Sequence, residues 1–173
     1  MKGFPDAYLD IETTGLYAYQ DRITIVGIYC CNEYDDQVIQ LFDENLTTKN
    51  LLKALEGTER LYTYNGERFD LPFIRTHLGP DLSLMHEHID LMFDCWKNNL
   101  RGGLKMVLKR LGIARETEGL TGIDAVLLWD QYKYNNNLEA LDLLLRYNRD
   151  DIVNLKELRN HLANLKPINQ VQP

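Results

Sequence analysis

The sequence predicts an α/β fold: a mixed β-sheet flanked by helices. Three observations carry that expectation. β-Branched and aromatic residues crowd into short runs over the first 42 residues, apolar residues recur at helical spacing beyond residue 100, and the two patterns interleave in between. In chain order, 7–11, 23–31 and 37–42 read as three strands of an antiparallel meander separated by polar turns. Asn50 to Leu55 repeats apolar residues at helical spacing and stops at Gly57, after which Arg60 to Tyr64 reads as a fourth strand. Leu71 to Leu78 predicts a short helix ending at Gly79-Pro80, and His88 to Leu91 a fifth strand. Helices then dominate, at 104–111, 123–132 and a long stretch from Leu138 to Leu165. No Pro/Ser-rich linker divides the 173 residues, so a single domain over 1–173 is expected, with its core at about 6–165.

Composition narrows the function classes. With 45% hydrophobic and 26% charged residues the chain is neither disordered nor of low complexity. The longest uncharged apolar run, Ile23 to Cys31, is too short to cross a bilayer, and Met1-Lys2-Gly3 leads into no signal-peptide core. A soluble cytoplasmic protein with no membrane partner is therefore expected. Cys30, Cys31 and Cys95 are odd in number and lack C-x-x-C spacing, which excludes a disulfide scaffold and a four-cysteine metal site. The net charge is −7, but Lys97 to Arg115 holds six basic residues and no acid, leaving −7 − 6 = −13 on the remainder. Charge is segregated along the chain.

Three groups of acids carry the chemistry. Asp10 and Glu12 stand two apart in a strand, so both leave one face of the sheet and repel each other unless a cation lies between them. Carboxylate oxygen suits Mg²⁺ or Mn²⁺, while solvated acids at a strand end are the plainer alternative. Asp70 follows the Asn65-Gly66 turn and precedes a first-turn proline, where it reads as a helix N-cap, a metal ligand or both. In the last helix Leu155, Leu158, Leu162 and Leu165 define the apolar stripe, and running it back by fours places Asp151 and Tyr147 inward. Asp150 lines up with Asn154, Glu157 and His161 on the expected wet side. An inward Asp151 needs a counter-charge, which a metal shared with Asp10 would provide. Tyr147 alone reads equally as an aromatic at the edge of the core.

The blocks D-I-E-T-T-G-L, N-G-E-R-F-D-L-P-F-I and Y-N-R-D-D-I-V-N-L resemble the three motifs of the DEDD exonucleases, which share a ribonuclease H-like fold. With Gly103-Leu104-Lys105 and Leu111 to Arg115, the set is most similar to the YprB-like branch of predicted ribonuclease H-like nucleases, over about residues 6 to 160. The resemblance implies that Asp10, Glu12, Asp70 and Asp151 hold two divalent ions. It also implies that Tyr147 orients the attacking water, as in the tyrosine (DEDDy) subtype. The histidine subtype has its His five residues before the last Asp, where this chain has Arg146. Thr13, Thr14 and Leu16 fall where relatives hold the terminal nucleotide, Leu16 as an apolar wedge, and Asn65 and Phe69 frame the second motif, Asn65 as a possible substrate contact. The implied activity is 3′→5′ exonucleolytic hydrolysis of single-stranded DNA or RNA by a two-metal mechanism, alone or beside a helicase or polymerase partner. Two other functions stay open: a structure-selective endonuclease on the same site, and a catalytically silent nucleic-acid-binding or scaffold subunit.

Arg101, Lys105 and Lys109 are spaced by four, opposite Leu104, Val107, Leu108 and Leu111. They form either a solvated helix face or a track for substrate phosphates. His86-Glu87-His88 lacks a third ligand at zinc spacing and reads as surface imidazoles, and Asp90 and Asp94 read as ordinary acids.

Overall fold

The computed structural model describes residues 4–165, so residues 1–3 and 166–173 of the expected domain lie outside the described region. Five strands form one sheet: β1 (Asp6–Thr13), β2 (Ile23–Cys31), β3 (Asp36–Phe42), β4 (Arg60–Thr63) and β5 (Glu87–Asp90). Their spatial order is β3-β2-β1-β4-β5. β1–β2 and β2–β3 pair antiparallel, as the meander requires, and β1–β4 and β4–β5 pair parallel. β1 is thus the central strand.

Among the described residues seven α-helices cover the sheet: α1 (Thr48–Ala54), α2 (Asp70–Leu78), α3 (Leu82–Met85), α4 (Leu91–Lys97), α5 (Leu104–Leu111), α6 (Gly122–Asn135) and α7 (Leu138–Asn164). The period-two alternation of β1 decides which helices go where. Ala7, Leu9 and Ile11 pack against Leu51 of α1 and Leu71, Phe73 and Ile74 of α2. Tyr8 faces the other layer, with Leu91 and Cys95 of α4, Val107 and Leu108 of α5, and Ile152, Leu155 and Leu158 of α7. Ile25, Ala125, Leu144 and Tyr147 seat α6 and the first half of α7. Asp10 and Glu12 share Tyr8's face and therefore lie beneath α7.

The strands and helices α1, α2, α5, α6 and α7 fall within a few residues of their expected bounds. The four-residue α3 is too short for a periodic signal, and α4 starts at Leu91, the last residue of the expected fifth strand. Asp90 is not an ordinary acid: it caps α4, accepting the Met92 N–H at 3.1 Å, and also accepts the N–H groups of Asn65 (2.8 Å) and Glu67 (3.2 Å). That one carboxylate ties the β4–α2 turn to β5. Asn65 adopts φ +64°, the left-handed conformation that asparagine tolerates in tight turns.

Asp150 corrects the helical phase expected for α7. It is buried, and so is Asn154. The α5–α6 connection packs over this face of the helix, and Asp150 Oδ2 accepts the N–H (3.2 Å) and hydroxyl (2.7 Å) of Thr117, while its Oδ1 accepts from Asn154 Nδ2 (2.8 Å). A helix buried on two sides has no simple wet stripe to mark its phase.

Candidate metal centre

β1 delivers two acids to one face, α7 a third, and the start of α2 a fourth. Asp10, Glu12 and Asp151 each offer an oxygen within 4.8 Å of the other two. Asp70 stands beside them: its Oδ1 accepts the backbone N–H of Ile11 at 3.0 Å, the residue between Asp10 and Glu12. The expected N-cap role does not hold, because Phe69 occupies the cap position and Asp70 begins the helix with its side chain turned to β1. The backbone thereby fixes Asp70 to the strand that carries the other two acids.

The electrostatics are those of crowded anions in a poorly solvated place. Burial raises the Asp10 carboxyl well above its ordinary range, helped by the neighbouring charges of Asp70, Glu12 and Asp151. Burial does the same to Glu12, with Asp151 as the next cause. Asp70 is raised to about 7, again by burial, and Asp151 is raised by burial against the opposing pull of Arg115. Glu12 Oε1 is buried and finds no hydrogen-bond partner among the described residues. An unsatisfied carboxylate oxygen beside two further acids fits a hard divalent cation: the donor set is all oxygen, and a cation would remove both the repulsion and the unmet acceptor.

Asn148 holds this group in place. Its Nδ2 lies 3.4 Å from both Asp10 Oδ2 and the Asp10 carbonyl, and its Oδ1 accepts from Gln40 Nε2 at 3.0 Å. A Cβ on Gly27, the β2 residue opposite Asp10, would lie 2.1 Å from that Oδ1, so only glycine leaves room for the contact. Asn148 stands three before Asp151, and running the inward face of α7 back by threes as well as fours identifies it.

Tyr147 is buried against the site, and Lys105 contacts both its hydroxyl and, at 4.1 Å, its ring centroid. Lys105 also donates to the Leu120 carbonyl at 2.9 Å. Burial raises the Tyr147 hydroxyl and lowers the Lys105 ammonium. Asp151 is paired with Arg115, whose Nη2 lies 3.4 Å from Asp150 Oδ2 and 3.3 Å from Thr117 Oγ1. Arg115 lies in a connection with no periodic pattern, so its sequence block and charge gave no sign of which carboxylates it meets.

A cleft of about 470 Å³ opens over the acids, lined by Thr13, Leu16, Phe69, Ile123, Tyr147 and Asp151 among others. Leu16 and Ile123 stand on its lips, 74% and 75% exposed. Thr13 donates to the Gly15 carbonyl at 2.5 Å, and Thr14 accepts the Arg22 N–H at 3.0 Å, so both hydroxyls brace the loop that presents Leu16. Thr14 and Asn65 do not line the cleft. Arg101 precedes α5 and stacks on Trp96, 5.2 Å from its centroid; Lys109 is exposed beside the α5–α6 connection. The three expected track residues therefore do not share one face. A larger cleft, about 630 Å³, lies near the start of β1, where Arg60 and Arg159 are already paired with Asp6. It contains no comparable acid cluster.

The profile of the RNase_H superfamily matches residues 7–163. The chain belongs to the RNase_H superfamily. No curated protein matches the sequence. Among solved structures, this RNase_H-superfamily chain is similar to the family B DNA polymerase of the hyperthermophilic archaeon Pyrobaculum calidifontis, at TM-score 0.70 and 14% identity. That match covers 91% of this chain and 24% of the polymerase. It is also similar to a nuclease in its apo form (TM-score 0.62, 20% identity, 91% of this chain and 71% of that one). Brucella melitensis NrnC gives TM-score 0.55 and 20% identity over 94% of this chain and 73% of NrnC. These likenesses establish a shared fold.

Proposed function

We propose that the chain is a divalent-metal-dependent nuclease acting as a 3′→5′ exonuclease on single-stranded nucleic acid. The carrying observation is the convergence of Asp10, Glu12 and Asp151 within 4.8 Å around a buried, unpartnered Glu12 oxygen. Asp70, fixed to Ile11, completes a set of four carboxylates for two Mg²⁺ or Mn²⁺ ions. Bound divalent ions would offset the four negative charges, draw in the phosphodiester and make water a stronger acid at neutral pH.

The chain's own residues supply the rest. Tyr147 keeps its proton, since burial raises the phenol above its ordinary value, and its hydroxyl is suited to orienting water by a hydrogen bond rather than removing a proton. Lys105 fixes that hydroxyl from one side and brings positive charge to within reach of a phosphate. Leu16 and Ile123 give the lips of the cleft apolar surfaces that a terminal base can contact, and Phe69 adds a further aromatic wall.

The test uses single-stranded DNA and RNA oligonucleotides, 5′-end-labelled, with Mg²⁺, Mn²⁺ or EDTA, and Asp10→Ala as control. A ladder of products shortened from the 3′ end, dependent on the ion and absent in Asp10→Ala, is expected. Continued cutting of oligonucleotides with blocked 3′ ends would mark an endonuclease instead.

A further inference from the structure

Arg115 is the unusual group in this site. Its side chain is only 7% exposed, in the same enclosure as Asp150 and Asp151, at 7% and 8%. It sits directly on Asp151 through Nη1 and leans toward Asp150 through Nη2 at 3.4 Å. Asp150 has independent anchors of its own in Thr117 and Asn154 and does not belong to the acid group around Glu12. The guanidinium thus bridges one carboxylate aimed at the cleft and one aimed at the α5–α6 connection. Lys105, by contrast, is bonded to a hydroxyl and a carbonyl.

Building on the metal-dependent reading above, we propose that Arg115 is the resident counter-cation of Asp151, which a divalent ion must displace, and that Asp150 with Thr117 retains the displaced guanidinium at the edge of the site. A buried carboxylate without a counter-charge is strongly unfavourable, so the ion-free protein needs such a substitute. An ion that takes Asp151 as a ligand competes with the guanidinium for the charge of the same carboxylate. Asp150 gives the arginine a second partner, so its charge is not stranded on release. Arg115 is accordingly a positioning residue that sets ion affinity and the fold's stability without ions.

The experiment is Mn²⁺ binding followed by electron paramagnetic resonance, with thermal unfolding in EDTA and in saturating Mn²⁺, on the full chain and on Arg115→Gln, Arg115→Lys and Lys105→Gln. Arg115→Gln should bind Mn²⁺ about tenfold more tightly, the scale of removing one adjacent opposite charge from a carboxylate. It should also melt earlier than the parent in EDTA and gain more from Mn²⁺. Lys105→Gln removes a charge of the same sign that touches no carboxylate, and should tighten binding less. If Arg115→Gln does not fold in EDTA, Arg115→Lys, which keeps the charge but loses the fork, should still tighten binding. Unchanged or weaker Mn²⁺ binding in the Arg115 variants, or equal effects of Arg115→Gln and Lys105→Gln, overturns the displacement while leaving the nuclease reading intact. Mn²⁺ binding by none of the proteins overturns both.

Discussion

Gly27 and Asn148 meet so closely that a single added carbon would stand 2.1 Å from the amide oxygen of Asn148. Gln40 holds that oxygen from the other side, at 3.0 Å, so the amide has little room to yield. The same amide reaches Asp10 by its nitrogen. Gly27→Ala should therefore cost about 1–3 kcal/mol, as overpacking in a filled interior does. It should also lower nuclease activity by shifting Asp10. Chemical denaturation and an oligonucleotide assay check the two effects, and an alanine tolerated in both would mean that Asn148 is not a fixed support.

The four acids make stability without ions depend on pH in a defined direction. Burial raises Asp10, Glu12 and Asp151, and raises Asp70 to about 7. An acid with a higher pKa folded than unfolded stabilises the fold while protonated, and that contribution is lost as pH climbs through the folded value. In EDTA the protein should thus be more stable near pH 5 than near pH 8, about one unit above the folded Asp70 value. Mg²⁺ should recover stability at the higher pH by replacing the lost protons. His88, whose imidazole burial lowers, works in the opposite sense as pH falls, but it is one group against four. Asp70→Asn is neutral at both values, so its thermal midpoint should change less between them; an undiminished change would mean that Asp70 titrates normally.

What the sequence revealed and what it hid follow from how each signal arises. Asp10 and Glu12 lie on one face because strand alternation is local, and Tyr147 and Asp151 face inward because leucines at 155 and 158 set the phase of α7. Asp150 escaped the same logic because the connection ending at the Thr121–Asp124 capping box covers a second side of the helix. A loop's position leaves no periodic trace. Arg115 lies in that loop, and its pairing with Asp151 is a tertiary contact that no local spacing encodes. Asp70 was legible as a cap, a metal ligand or both; of these the cap fails, because its carboxylate accepts from a strand amide 59 residues away, a contact no local pattern encodes.

Asp150 and Asp151 should separate cleanly by measurement. Asp151→Asn removes a proposed ion ligand, so single-turnover cleavage should be abolished while the fold survives. Asp150→Asn keeps an oxygen for Thr117 but loses the charge beside Arg115. It should destabilise by about 1–3 kcal/mol, the cost of weakening a buried hydrogen-bonded group. Cleavage should persist below its melting range. Equal loss of chemistry in both variants, at temperatures where both are folded, would place Asp150 among the ion ligands.

The basic segment gives the last prediction. Lys109 is exposed beside the α5–α6 connection that overhangs the site, while Arg101 lies outside α5, stacked on Trp96, with its carbonyl accepting from Arg110 Nη1 at 3.0 Å. A lysine that neutralises one phosphate releases its counterions, and its loss lowers the salt slope of binding by about one. Lys109→Gln should accordingly weaken binding of a single strand to the uncleaving Asp10→Ala protein and flatten its dependence on salt. Arg101→Gln should leave that slope in place, because its guanidinium is committed to the Trp96 ring. Fluorescence anisotropy across a salt series checks both. A flattened slope for Arg101→Gln alone would route the strand past Trp96 instead.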